Sequence, residues 1–229
     1  MKPRKSRAAA PAAPRKMRSD GMEARERLLM TALRLFAENG YSRISTRRIA
    51  QEAGINISAI SYYFGDKAGL YRAALLESLG DPRDDIPLYD QPHFTLRQSL
   101  QGFISTFLEP FKQGDLARFG TLLHFREMLE PTGVWAEEIE SIKPAHAALT
   151  RVLTRHLGVA RVDDDIHRLA FAIAGLGVQM YVMHDVIYAI RPGLIATPKA
   201  FDAWTIRLTD YAEAMVAAEA ARRAGAAIS

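Results

Sequence analysis

Residues 54–67 read GINISAISYYFGDK, and the register of its central turns decides how the rest of the chain is read. A helix this short is marginal alone, because its nucleus is costly and few hydrogen bonds repay it. With Ile60 turned inward and about 100° per residue, Phe64 falls beside it and Tyr63 at the flank. Ser58 and Tyr62 then point nearly the opposite way, with Ala59 and Ser61 between them and Ile57 on the edge of the apolar side. The outer face is small and hydroxyl-bearing, ends in an aromatic with a polar tip, and carries no carboxylate. Small groups allow close approach, hydroxyls reach phosphates or base edges, and no acid repels a polyanion.

The flanking residues supply the support. Ser45 N-caps the segment TRRIAQEA, which presents Thr46, Arg47 and Arg48, and Gly54 ends it. The turn Ala53-Gly54-Ile55 joins it to the short helix, for which Asn56 is the capping residue; the pattern is that of a helix-turn-helix. Nine residues of helix make a rod of about 13 Å, against a DNA major groove about 12 Å wide. Before this unit, Leu28, Leu29, Ala32, Leu33, Leu35 and Phe36 form an apolar stripe on a helix expected from Met22 to Asn39, with Gly40 as its stop. After it, Asp66 caps a fourth helix, DKAGLYRAALLESL.

DPRDDIPLYDQP then breaks the pattern, and longer helical segments follow: Phe94 to Phe111, bounded by Pro110; Leu116 to Leu129; Val134 to Leu157, with a kink or break at Pro144; Asp165 to Ile190; and Pro198 to Arg223. Strand-like alternation is nearly absent. The expected architecture is all-α, with a tail over 1–20, a DNA-binding unit over 21–72 and a larger helical domain over 73–229.

The 229 residues are 48% hydrophobic and 24% charged, an ordinary globular composition. Cysteine is absent, which excludes disulfides, thiolate metal sites and cysteine nucleophiles and is compatible with a reducing cytoplasm. The net charge of +4 is unevenly placed: residues 1–20 carry +6, residues 21–72 carry +3 and residues 73–229 carry −5. An anionic partner should therefore meet the first third. The tail MKPRKSRAAAPAAPRKMRSDG is too weakly apolar, and too broken by Pro11 and Pro14, for a signal peptide, and reads as disordered. The longest apolar run, LAFAIAGLGVQMYVM from Leu169, falls short of the about 20 residues that a bilayer requires. A cytoplasmic protein without a membrane span is expected.

Here the sequence resembles a family. STRRIAQEAGINISAISYYFGDKAGLY, preceded by FAENGY, is similar to the signature of the TetR family of bacterial transcription regulators, over roughly Ala24 to Leu75. The resemblance implies that Ser45 caps the second helix and touches phosphate and that Arg47 lies near the backbone. It places Ser58, Ala59 and Ser61 toward bases, and Tyr62, Tyr63 and Lys67 on phosphates. Tyr62 stands where histidine is more usual, and Ala59 where a hydroxyl is commoner. FREMLEPTGVW adds a resemblance to the subgroup of the cefoperazone and chloramphenicol sensitivity regulator.

The same resemblance implies a homodimer through the last two helices, a double-stranded DNA operator and a small-molecule effector held among the C-terminal helices. Leu169, Ile173, Leu176, Met180, Met183, Val186 and Ile187 stripe the first of those two helices, with Gly175 and Gly177 permitting close approach. Phe201, Trp204, Leu208, Tyr211 and Met215 stripe the second. Polar residues inside apolar helices are the effector candidates: His124, Arg126, Glu127, Trp135, His146, Gln179, Tyr181 and His184. Each is equally compatible with a satisfied core group. No catalytic residue, cofactor or metal site is expected: His124 with Glu127 is a single pair in the reverse of the di-metal order, with no second copy. The alternatives are an architectural DNA-binding protein, which has little need of an acidic C-terminal portion, and a helical metal-dependent enzyme. The expected function is a ligand-responsive repressor.

Overall fold

The computed structural model describes residues 15–79, 82–133 and 135–226, with side chains for all of these but 15–20, 78–79, 115–116, 135–139, 141 and 226. Its helices are α1 (Arg15–Asn39), α2 (Thr46–Ala53), α3 (Ser58–Phe64), α4 (Lys67–Leu79), α5 (Leu96–Lys112), α6 (Asp115–Leu129), α7 (Trp135–Leu157), α8 (Asp164–Val182), α9 (His184–Ile190) and α10 (Pro198–Ala226). Short 3₁₀ turns lie at Ile86–Leu88 and Pro192–Leu194. There is no strand among the described residues.

α1 begins at Arg15, ahead of the expected start at Met22. Arg15, Lys16, Met17 and Arg18 are good helix formers. The rest of the tail, residues 1–14, lies outside the described residues. Three further expectations are corrected. α5 runs past Pro110 to Lys112 and α7 continues through Pro144. The segment read as one helix from Asp165 to Ile190 is two, bent by 64° at Met183. The bend lays the His184 ring parallel to that of Phe111 and leaves Ile187 against the core. No single helix among the described residues is long and apolar enough to cross a membrane.

Two apolar cores result. The first gathers Leu28, Leu33 and Phe36 of α1, Ile49 of α2, Ile60 of α3 and Leu70 and Leu75 of α4, and is completed by Phe119 and Leu123 of α6. Leu70, Tyr71, Ala74 and Leu75 of α4 all lie in this core, so it extends past residue 72. The second packs Leu100, Ile104 and Leu108 of α5 with Leu149 and Val152 of α7, Ile173 and Met180 of α8, and Leu208 of α10. Lys112–Asp202 (2.8 Å) and Arg97–Asp210 (2.9 Å) pin α10 along α5. Asp163 caps α8 by accepting from the Ile166 N–H and pairs with Arg223 of α10, which holds its carboxyl well below the usual range.

The long stripes on α8 and α10 are largely spent inside this core: Leu169, Ile173, Met180, Phe201 and Leu208 are buried. Gly177 allows the approach of Phe107, whose Cγ would lie 2.4 Å from an added Cβ, whereas nothing lies within 4 Å of Gly175. The faces left outward carry Phe171 (66% exposed) and Val182 (59%) on α8 and Ile206 (53%) on α10, none of them in the expected stripes, together with Tyr211, Met183 and Val186, which are.

Candidate nucleic-acid interface

α2 and α3 are fixed by short-range hydrogen bonds. Ser45, extended at φ −98°, ψ 152°, accepts the Arg48 N–H on Oγ (3.2 Å), leaving its own hydroxyl proton to donate outward. Gly54 takes φ 66°, and its N–H closes onto the last carbonyls of α2. Asn56 Oδ1 accepts from the Ser58 N–H and hydroxyl, both at 2.9 Å, and Asp66 Oδ1 accepts the Gly69 N–H at 2.8 Å. Ser45 and Asp66 cap as expected, while Asn56, one residue before the capping position Ile57, bonds into the first turn of α3.

Ile60 is 2% exposed and Tyr62 is 81% exposed, so α3 has the expected rotation. Burying an isoleucine contributes about 2 kcal/mol, and Ala59, Tyr63 and Phe64 pack against the same core, which together dock so short a helix. Ser58, Ser61 and Tyr62 are exposed with Ile57 beside them, Ala59 is half-buried, and Tyr63 packs its ring edge-on to Tyr62 at 4.8 Å. The two α2 arginines differ: Arg48 is held by Glu52 (3.2 Å), which also takes Arg34 (2.6 Å), whereas Arg47 is exposed without an ion pair among the described residues. Thr46 is half-buried beside it. Arg43, exposed in the connection before α2, is a further basic residue there that sequence reasoning did not single out. An open groove of about 490 Å³ between α1 and α2 is lined by Glu23, Glu26 and Glu52 against the single cation Arg27, an acidic balance unsuited to a polyanion.

Lys67 is placed by a residue that sequence reasoning missed. Its Nζ lies 4.1 Å above the ring of Tyr41, and burial there pulls the ammonium below the ordinary lysine value. Nothing in the sequence pairs two residues so far apart.

The effector candidates do not form one site. Tyr181 and His184 come together in a cleft of about 80 Å³ with Phe111, Arg118, Leu122, Val182 and Asp185. Phe111 is its hub, with ring centroids 4.4 Å from Tyr181, 4.8 Å from Phe201 and 5.7 Å from His184. Tyr181 donates to the Phe107 carbonyl at 2.6 Å. Gln179 is half-buried on α8 and is not among the cleft's lining residues. His146 bonds His167 (2.9 Å) and stacks on Phe171 across α7 and α8. The Trp135 side chain lies outside those described. Glu127 is fully buried and structural: Oε2 accepts from the Tyr71 hydroxyl (2.6 Å), Oε1 from the Thr132 N–H and hydroxyl. Arg126 donates to the carbonyls of Ala37 and Glu38.

Burial pushes the His124 imidazole down to about 4, against the opposing pull of the Glu127 charge. A folded value below the ordinary about 6.5 means that the neutral ring stabilises the fold above about pH 6.5 and that this contribution is lost as pH falls toward 4. Melting measured from pH 7 to 4.5 should therefore fall more steeply in the wild type than in His124→Gln. Parallel curves would show that another group titrates.

A docked reading helix, a capped partner helix before it and a second helical core behind them define a DNA-binding protein of the helix-turn-helix class. Residues 28–74 match the bacterial regulatory proteins of the tetR family, and residues 96–219 match the C-terminal domain of the HTH-type transcriptional dual regulator CecR. The CecR of Shigella flexneri is 30% identical over 167 residues, 68% of this chain and 74% of that protein. Among solved structures, a putative transcriptional regulator from Saccharomonospora viridis in complex with choline covers 84% of this chain and 96% of its own at 21% identity and TM-score 0.61. The SmeT–triclosan complex covers 83% and 90% at 18% identity and TM-score 0.56. The chain belongs to the TetR family of transcription regulators, with a C-terminal domain of the CecR kind. It is a DNA-binding regulator and not an enzyme; regulators of this family bind a DNA operator and a small-molecule effector.

Proposed function

We propose that the protein is a cytoplasmic, homodimeric repressor that reads its operator with α3 and leaves it when a small molecule opens the Phe111–Tyr181 cleft. The observation that carries this is the division of α3 into a buried Ile60 side and an outward face of Ser58, Ser61 and Tyr62 without a carboxylate. Ser58, Ala59 and Ser61 meet base edges beside Ile57; Ser45, Thr46, Arg47, Tyr62, Tyr63 and Lys67 meet phosphates.

Dimerisation uses the outward faces of α8 and α10. These helices pack together. Phe171, Gly175 and Val182 on one, and Ile206, Tyr211 and Ala214 on the other, give two adjacent apolar stripes, half of a four-helix bundle. Such a pair would set two reading helices about 34 Å apart, or at a longer spacing, on one duplex face.

The cleft is about half the roughly 150 Å³ of an engineered cavity that takes benzene, so a ligand enters by parting α6 from the α8–α9 bend. Its lining of Phe111, Tyr181 and His184 suits a flat apolar ring. Choline and triclosan are ligands of the two solved neighbours, and both pair apolar bulk with a polar group.

Footprinting on the DNA upstream of its own gene tests the reading. A protected two-fold site is expected. Ser61→Val should change the preferred bases, with a discrimination effect of about tenfold, the value of one base contact. Tyr62→Ala should weaken all sites alike. Equal affinity for the upstream fragment and for random DNA would make the protein architectural instead.

A further inference from the structure

An unbroken line of side-chain contacts joins α6 to the start of α4. Arg126 and Glu127, adjacent on α6, hold two things at once. Arg126 takes the carbonyls of Ala37 and Glu38 at 3.1 and 3.4 Å, fixing the last turn of α1, from which Gly40 at φ +83° launches the chain into Tyr41. Glu127 takes the Tyr71 hydroxyl at 2.6 Å. The Tyr71 ring meets Tyr41 edge-on at 4.9 Å and Phe36 at 5.1 Å, and the face of Tyr41 carries the Lys67 ammonium at 4.1 Å.

We infer that Tyr41 and Tyr71 are positioning residues for Lys67 and that Glu127, from the effector-binding domain, holds them in place. Lys67 and Tyr71 lie four residues apart on one face of α4, so both turn toward Tyr41. A lysine left in water samples many rotamers. One held over a ring has lost that freedom before DNA arrives, and the attraction between cation and ring holds it beside the turn that ends in Ser45. Tyr71 cannot swing away without abandoning a fully buried carboxylate, which is costly to leave unmatched. Its phenol is held protonated by burial and then by Glu127, so Tyr71 donates and Glu127 accepts. A displacement of α6 would be felt at Tyr41 through both its backbone and its ring, and so at the lysine. The inference rests on Lys67 meeting phosphate, as proposed above.

A double-mutant cycle on operator affinity tests it, using the full chain and the footprinted fragment, with melting curves to verify folding. Lys67→Ala should cost about tenfold and flatten the salt dependence by about one unit of slope. Glu127→Gln and Tyr41→Leu should each weaken binding about three- to tenfold, in the range of a cation–ring contact. Tyr41→Phe, which keeps the ring, should bind as the wild type. In the Lys67→Ala background, the Glu127→Gln and Tyr41→Leu effects should shrink below about twofold, because coupled residues are not additive. If Glu127→Gln does not fold, Tyr71→Phe keeps the ring and runs the same cycle. Equal Glu127→Gln or Tyr71→Phe penalties with and without Lys67 would overturn the inference and leave Glu127 as structural support only. A Lys67→Ala protein with unchanged affinity and slope would instead remove the phosphate assignment, and the inference with it.

Discussion

Ala214→Arg should convert the protein to a monomer in sedimentation and weaken operator binding on the order of a hundredfold, since a lone reading head loses the effective concentration supplied by its tether. Ala214 lies on the outward face of α10, one turn beyond Tyr211, and an arginine there would set a charge against its symmetry mate in an apolar seam. The protomer itself should melt in the same place, because the residue is exposed and touches neither core. A variant that stays dimeric would move the interface elsewhere, with the patch of Tyr188, Ile190 and Leu194 around α9 next to be probed.

Gly69→Ala should be the more damaging change to the reading head. An added Cβ would lie 2.0 Å from the Phe64 carbonyl oxygen, so the first turn of α4 could not remain seated against the end of α3. Backbone must move, at a cost of about 3 kcal/mol, the upper part of the overpacking range, or roughly 6–12 °C in melting for a chain of this size. Operator affinity should fall more than tenfold, because α3 is seated by Ile60, with Ala59, Tyr63 and Phe64 beside it, and by this junction. Gly65→Ala is the control. It forces a side chain into φ +81°, ψ −65°, a strained conformation outside the left-handed helical region, but meets nothing within 4 Å, and should cost about 1–3 kcal/mol. Equal losses in the two variants would mean that backbone strain, not close approach, governs the junction.

What could be read from the chain follows the range of the interactions. The rotation of α3 was legible because Ile60, Ser61 and Tyr62 obey one helical period. The bonds accepted by Ser45, Asn56 and Asp66 were legible because each reaches only two or three residues. The Tyr71–Glu127 bond spans 56 positions and carries no local signature. The same is true of the ring beneath Lys67. Glu127 was accordingly grouped with effector candidates when its carboxylate is committed inside the protein. The stripes on α8 and α10 were legible only in part: Leu169, Ile173, Met180, Phe201 and Leu208 are spent within the protomer, while Phe171, Val182 and Ile206, outside the expected stripes, face outward. The bend at Met183 follows no proline or glycine and had no signal at all.

Phe119 and Leu123 of α6 sit in the same apolar core as Ile60 and Leu75. The operator-reading portion is therefore not a detachable cassette. Cut after residue 79, it would bare the surface that α6 covers and should precipitate or remain molten. Grafting it onto another regulator's sensing domain would succeed only if the graft carries α6 along or rebuilds its greasy footprint on the new host.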